Sequence, residues 1–416
     1  MHKAEVNTLH TLILGGGYGG LRVALDLSRL IGKLPGTKIT LVNKHDYHQF
    51  RTELHRTAAG TTSPDRIRIP FRTILRGLPV EFVKAEVTKI DPQKREVTLT
   101  YNQKISYDRC VVALGSRPEF YNIPGLQEHA LLIQSLNSAA RIRRHLEAQI
   151  AKAAELDNPI ERRPYLTVAV GGGGLTGVEF VAELADRLPK VMQGRGLSPV
   201  ELRLITIEAS PEILQGMDRR LVQTVQQELA DRGVQLWLNT RIVALHPDRV
   251  ELEGAEPLHT KSFIWTGGIR GNEVVEAAFT TRARGRAVVN EFLQSVDTPD
   301  VYIIGDCALA LNPKTGSPVA PTAQNAIAQG RLVARNIAAE LMGRPLQAYR
   351  AQNFGVVASL GRGAAVADIA GYPLVGVPAA LLKDLITLKY IWSIGGPRLL
   401  FRRIVPRRLQ LSPSTS

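Results

Sequence analysis

Cysteine is nearly absent: 416 residues hold two, Cys110 and Cys307, far apart. That excludes a disulfide-stapled scaffold and leaves no cysteine set at zinc-ligand spacing. Long apolar runs are missing too. The most apolar stretch, Ala364–Leu382, is broken by Asp368, Gly371, Pro373, Gly376 and Pro378, so no segment reads as a bilayer-spanning helix. No leader peptide is expected, because the first apolar run, Leu12–Leu14, ends in glycines. Acidic residues are in deficit, 38 against 52 Lys and Arg, for a formal charge of +14. The excess calls for an anionic partner: a phosphate-bearing cofactor, an acidic membrane surface or a nucleic acid. No helix-turn-helix and no basic groove interleaved with aromatics supports the last, so no nucleic acid is expected. Apolar content of 44% and charged content of 22% are ordinary for a globular chain, and this length suggests two or three domains.

The chain is organised around Thr11–Gly20, TLILGGGYGG. Thr11–Leu14 reads as a buried strand, and from Leu21 the apolar spacing turns helical. Between them Gly15, Gly17 and Gly20 fall at G-x-G-x-x-G spacing. The first glycine permits a tight turn, the second lets backbone approach a diphosphate, and the third lets helix and strand pack closely. The free N–H groups at the helix start would face the diphosphate. This predicts a dinucleotide site.

The next strand, Lys38–Val42, ends in Asn43 and Lys44, where the fingerprint usually has an acid for a ribose. Asn43 can still bond a hydroxyl without supplying charge. These two positions are the candidates there, and the departure favours FAD over NAD at this first site. His45, His48 and His55 follow, but no carboxylate or cysteine completes a ligand set, so no metal site is expected. The same segment has no cysteine pair, which disfavours thiol–disulfide chemistry. Val80–Ile90 and Arg95–Thr100 read as a meander turning at Asp91–Pro92, and Tyr107–Gly115 as a strand ending in a glycine turn. Asn137–Ile150 reads as a basic amphipathic helix and Glu155–Pro164 as a polar linker.

At Leu166 the opening pattern returns. LTVAV is a strand, and Gly172, Gly174 and Gly177 repeat the spacing before a helix from Val178. The strand Leu202–Ile207 then ends in Glu208, the acid missing from the first copy. A carboxylate there accepts from a ribose 2′-hydroxyl and repels a 2′-phosphate, so NADH is expected over NADPH. Two such units in one chain predict two dinucleotides facing each other, one resident and one visiting. SFIWTGG at Ser262–Gly268 repeats the strand-to-glycine turn. DVYIIGD ends in Asp306, placed to accept from a flavin's sugar-alcohol chain or to serve as a simple turn aspartate. Pro321–Gln329 opens a helix whose N-terminal N–H groups can face an anionic flavin.

The last seventy residues change character. Phe354–Gly371 alternates like a hairpin. Val377–Ser393 reads as a helix with Leu381, Leu385, Leu388 and Trp392 on one face and Lys383, Thr387 and Tyr390 opposite. Arg398, Arg402, Arg403, Arg407 and Arg408 follow, interleaved with apolar residues. Apolar stripes beside arginines suit a helix lying in an anionic bilayer surface. Packing on the body of the protein or a homodimer interface is the alternative.

Taken together, GGGYGG, LVNKHDYH, VALG, GGGGLTGVEF, WTGGIRG, IIGDCA, PTAQNAIAQG and YIWSIGG resemble the type II NADH:quinone oxidoreductases, from about Leu9 to Arg403. The resemblance implies an α/β fold of two Rossmann-like dinucleotide-binding domains, for FAD and NADH, plus a C-terminal membrane-attachment region. It places the FAD domain at 1–120 and 277–345, the NADH domain at 121–276 and the attachment region at 346–416. It implies two-electron transfer from NADH through non-covalent FAD to a membrane quinone without proton pumping, on the cytoplasmic side of the cell membrane as a peripheral enzyme. It puts Glu179 near nicotinamide and flavin, Ala323 and Gln324 where flavin meets the quinone channel, and Asp306 on the flavin. Sulfide:quinone oxidoreductase is the nearest alternative, followed by another FAD/NAD(P)H-dependent reductase of the same fold. The first needs cysteines beside the flavin, and neither Cys110 nor Cys307 is well placed for that.

Overall fold

The fold, a computed structural model, describes residues 9–351 and 355–404. Arg407, Arg408 and Phe354 lie outside the described residues, as do the side chains of Arg402 and Arg403.

Two five-stranded parallel sheets carry the molecule. In the first, Leu9–Leu14 lies at the centre. Thr37–Asn43 and then Glu81–Lys84 flank it on one side, and Arg109–Val112 and then Val301–Ile303 on the other. In the second, Thr167–Gly171 is central. Arg203–Ile207 and Val234–Trp237 lie on one side, Ser262–Trp265 and Leu131–Leu132 on the other. The central strands are buried on both faces, which is why they read as unbroken apolar runs rather than alternating ones. Both glycine loops therefore leave the carboxyl end of a central strand, beside the point where strand order reverses. That is where open α/β sheets place their ligands.

The first sheet is assembled from distant parts of the chain, since its outer strand Val301–Ile303 pairs with Arg109–Val112. Helix Ala323–Leu341 then returns to cross helix Tyr18–Leu30. The crossing is close because glycine faces backbone: a Cβ on Gly330 would stand 2.6 Å from the Gly19 carbonyl oxygen.

Three expectations need correction. The predicted strand Val80–Ile90 is two elements. Glu81–Lys84 joins the first sheet as its edge, and only Val87–Asp91 enters the antiparallel meander with Glu96–Leu99 and Lys104–Ser106. The second half of the supposed linker Glu155–Pro164 belongs to the helix Pro159–Leu166. That helix is started by the Asn158 side chain, which accepts from the Ile160 N–H, with proline at the first helical position, where its missing N–H costs nothing. The last helix runs past Ser393 to Ile404 and bends at Gly396, in a left-handed conformation just before Pro397.

That last helix turns three polar side chains inward, while its Asp384 and Lys389 stay exposed. Lys383, Thr387 and Tyr390 turn toward the body, with Ile391, Ile394 and Leu399 buried beneath them. Leu381, Leu385, Ile386, Trp392 and Phe401 are exposed, as is Val377 at the helix start, and Tyr372 and Val375 of the adjoining hairpin edge join them. Among the described residues no helix is long and apolar enough to cross a membrane.

Candidate active site

The two glycine loops are built alike. Gly15 and Gly172 take left-handed conformations, φ +99° and +105°, open only to residues without a Cβ clash. A Cβ on Gly20 would sit 1.9 Å from the Gly15 carbonyl oxygen, and one on Gly177 would sit 2.0 Å from that of Gly172. These contacts close each helix onto its strand. At Gly17 and Gly174, by contrast, an added Cβ would meet nothing within 4 Å. Each loop thus has one glycine that strains, one that packs and one that faces open space. A diphosphate needs the open one, lying at the positive end of a helix.

The strand ends next to the loops differ. At the first, Asn43 Oδ1 accepts from the Gly16 N–H at 2.8 Å, and its amide donates to the His45 carbonyl at 2.7 Å. Lys44 turns to the surface, 2.9 Å from Glu86. At the second, Glu208 is gripped by backbone: Gly173 N–H donates to Oε2 at 2.6 Å and Ser210 N–H to Oε1 at 2.9 Å. Each carboxylate oxygen keeps further lone pairs for a ribose hydroxyl. A cavity of about 1120 Å³ opens over this second loop. It is lined by Gly172–Leu175, Glu208 and Thr266–Gly268, and on the far side by Asp368, Ala370 and Gly371 of the hairpin Ala365–Val375.

Asp306 lies in the turn Gly305–Cys307 after the outer strand of the first sheet. Its Oδ2 accepts from the Ser116 hydroxyl at 2.8 Å, tying it to the glycine turn after Arg109–Val112. Gln329 supports the same turn, its Oε1 accepting from the Gly305 N–H at 2.6 Å. Ala323 and Gln324 occupy the first turn of helix Ala323–Leu341, capped by Thr322; Ala323 is half-buried and Gln324 exposed. A small cavity between this helix start and Gly305 is lined also by Arg286. Burial holds the Arg286 guanidinium below its ordinary range, and its Nε has no hydrogen-bond partner.

Glu179 sits in the second turn of helix Leu175–Gln193, buried, with 8% of its surface exposed. It faces the C-terminal region. Its Oε1 accepts from the Ser359 N–H at 2.9 Å and pairs with Lys383 Nζ at 2.5 Å, while Oε2 lies 3.5 Å from His55 Nδ1. Burial first, then the nearby Lys383 charge, pushes His55 down to about 3, so its ring is neutral.

The three histidines do not converge. His45 stacks on Tyr47, His48 is buried between Gly16 and Tyr390, and His55 lies beside Glu179. Among the described residues no three His, Cys, Asp or Glu stand close enough to hold a metal ion. Both cysteines are buried, and desolvation pushes the thiols up, Cys307 to about 12. Neither is a reactive thiolate at neutral pH.

Lys383, His48, Tyr390, Ser116 and Gln329 were not singled out as site residues by their sequence. A lysine about two turns before a tyrosine on the same helix face was the available hint for the C-terminal pair.

Two dinucleotide-binding folds on parallel sheets in one chain define the class: a flavoprotein reductase that couples two dinucleotides. The profile of the pyridine nucleotide-disulphide oxidoreductase family matches residues 9–330. The type II NADH:quinone oxidoreductase of Staphylococcus aureus (strain NCTC 8325 / PS 47) is 35% identical over 396 residues, covering 94% of this chain and 97% of its relative. Two solved structures share the fold. NDH2 from Plasmodium falciparum in complex with NADH has a TM-score of 0.83 at 19% identity, covering 95% of this chain and 97% of that one. The sulfide:quinone oxidoreductase of Aquifex aeolicus has a TM-score of 0.77 at 23% identity, covering 93% and 92%. The chain belongs to the type II NADH:quinone oxidoreductases within the pyridine nucleotide-disulphide oxidoreductase family.

Proposed function

We infer that the protein takes a hydride from NADH onto FAD and passes two electrons to a membrane quinone. The observation that carries this is the doubled glycine loop with Glu208 at the second copy alone. The residues present fit FAD at the first loop. Gly17 faces open space at a helix start, Asn43 leaves that helix end uncharged by a carboxylate, and Asp306 stands ready to accept from a hydroxyl. Arg286 and the start of helix Ala323–Leu341 add positive potential beside it. Bound there, the flavin supplies hydride acceptance and two-electron delivery.

The rest is the work of side chains. Gly15, Gly17, Gly20, Asn43, Lys44, Asp306 and Ala323 hold the resident cofactor, with Lys44 contributing only surface charge. Gly172, Gly174, Gly177 and Glu208 hold NADH in the large cavity and reject a 2′-phosphate. Glu179 holds Lys383 and the Ser359 backbone together where both dinucleotide halves meet the C-terminal region. Gln324 offers an amide to a quinone carbonyl at the mouth of its helix. Residues 1–120 with 277–345, 121–276 and 346–416 form the FAD, NADH and attachment domains.

The membrane part of the reading rests on the last helix. Its outward side exposes Leu381, Leu385, Ile386, Trp392 and Phe401, more apolar surface than a helix adapted to water presents, while Lys383 and Tyr390 turn inward. That surface would enter the acyl boundary of an anionic leaflet, with Lys389 and Arg398 at its edge, as a peripheral attachment on the cytoplasmic side. A homodimer could cover the same face. The test is steady-state NADH-dependent reduction of menaquinone and ubiquinone analogues by the purified yellow protein, with NADPH and sulfide as competing donors. Sulfide oxidation in preference to NADH would assign the chain to the alternative reading. Self-association without liposome binding would assign the helix to a dimer.

A further inference from the structure

The last helix reaches the first glycine loop through two fully partnered, uncharged side chains. His48, in the strand Tyr47–Gln49, is completely buried. Its Nδ1 lies 2.9 Å from the Gly16 carbonyl oxygen, and its Nε2 lies 2.9 Å from the Tyr390 hydroxyl. Desolvation pushes His48 down to about 4 and Tyr390 well above its ordinary value, so both are neutral at physiological pH. The proton positions then follow from the partners. A carbonyl only accepts, so Nδ1 carries the ring proton and Nε2 is an acceptor. The Tyr390 hydroxyl is therefore the donor. The order is Tyr390 O–H to His48 Nε2, and His48 Nδ1–H to Gly16 C=O.

The far end of this relay is a special peptide. Gly16 is held on both sides, its N–H by Asn43 Oδ1 and its C=O by His48. A Cβ on Gly16 would stand 2.2 Å from the Phe71 ring tip, so the residue is also hemmed in from that side. The C=O of Gly16 shares its planar trans peptide with the N–H of Gly17, and in such a unit the two point in opposite directions. Fixing the carbonyl inward aims the Gly17 N–H outward, over the one loop glycine with open space above it. Among the described residues that N–H has no protein acceptor. The Tyr390 ring is itself wedged against Tyr18, the first residue of the loop helix, at 5.0 Å between centroids, and against Phe50 at 5.6 Å.

We propose that Tyr390 and His48 are positioning residues for the cofactor diphosphate: docking of the last helix orients the Gly16–Gly17 peptide and thereby sets how tightly the first loop holds FAD. This rests on the reading of the first loop as the FAD site and adds that flavin retention depends on Tyr390, which meets a histidine 342 positions earlier in the chain. The helix that presents an apolar face outward thus also presents a hydroxyl inward to the phosphate loop.

The test uses the full chain purified as holoprotein. Dilution into flavin-free buffer, followed by the return of free-flavin fluorescence, gives the FAD release rate. Tyr390→Phe removes only the donor and should speed release about tenfold, the effect of one buried hydrogen bond. His48→Leu should speed it at least as much. The double variant should be no faster than His48→Leu alone, because the two act in series. His48→Gln, whose amide can donate to the same carbonyl, should restore slower release. NADH affinity should not change in any of them. Wild-type release from Tyr390→Phe, additive effects in the double variant, or parallel weakening of NADH binding would each overturn the relay. A wild-type chain that purifies without flavin would instead overturn the FAD reading itself, and the relay with it.

Discussion

The buried pair of Lys383 and Glu179 joins the last helix to the helix of the second glycine loop, and its contribution can be worked out. The side chains are 16% and 11% exposed, so water screens the pair only slightly. Removing one partner of a buried pair costs about 3–5 kcal/mol, because the other charge stays behind. In Lys383→Met the abandoned carboxylate keeps the Ser359 N–H, and beside it stands a neutral His55, which places the loss near about 3 kcal/mol. In Glu179→Met the ammonium is left with no other ion-pair partner among the described residues, so the loss should be about as large or larger. In the double variant no charge is stranded and two thioether chains fill the contact. Its loss should fall well short of the sum, with a coupling of about 2–3 kcal/mol. Urea unfolding of the holoprotein, followed by far-ultraviolet circular dichroism, measures all four corners of the cycle. Additive losses within about 0.5 kcal/mol would refute the pairing as the tie between helix and body.

Glu208→Gln should narrow the NADH-over-NADPH preference in kcat/KM, and equal use of both by the wild type would remove the ribose role. Gln324→Leu should slow flavin reoxidation by quinone more than flavin reduction by NADH in stopped flow; equal slowing would mark a general change at the flavin. Leu381→Glu with Leu385→Glu should abolish pelleting with anionic liposomes while NADH oxidation by a soluble acceptor continues. Each exposed leucine would contribute about 1.5–3 kcal/mol if buried in lipid, so retained pelleting in this variant would rule out the helix as the anchor. His48, held at about 4 against 6.5 when unfolded, gives stability that is full above pH 6.5 and falls as pH drops toward 4. In that window the unfolded chain binds a proton that the native chain refuses. His48→Gln should flatten this part of the pH–stability curve, and an unchanged slope would mean that His48 is not neutral in the fold.

What could be read in the sequence was local. Both glycine loops, their strands and Glu208 announce themselves within some forty residues, because Gly20 closes on Gly15 and Gly177 on Gly172 inside each loop. The outward leucine face of the last helix was legible for the same reason, as a helical repeat. The partners of its inward face were not. Lys383 meets a glutamate 204 positions earlier and Tyr390 a histidine 342 positions earlier, and nothing local in the sequence marks either contact. The split of Val80–Ile90 was hidden because its two strands share one composition and are divided by the sheets they join. The helix at Pro159 was hidden by polarity, since four of its eight residues are exposed and one alone is buried, and propensity alone rarely reveals such a segment.

The outer strand Val301–Ile303 imposes an order on synthesis. The second sheet, from Leu131 to Trp265, is encoded as one continuous stretch, and its strands have left the ribosome before the first sheet has its fifth. Until residue 303 emerges, Arg109–Val112, whose last three residues are buried in the finished protein, is an unpaired apolar edge, open to pairing with another nascent chain. Translation that stalls between residues 265 and 300 would therefore leave one dinucleotide fold complete and the other unable to close.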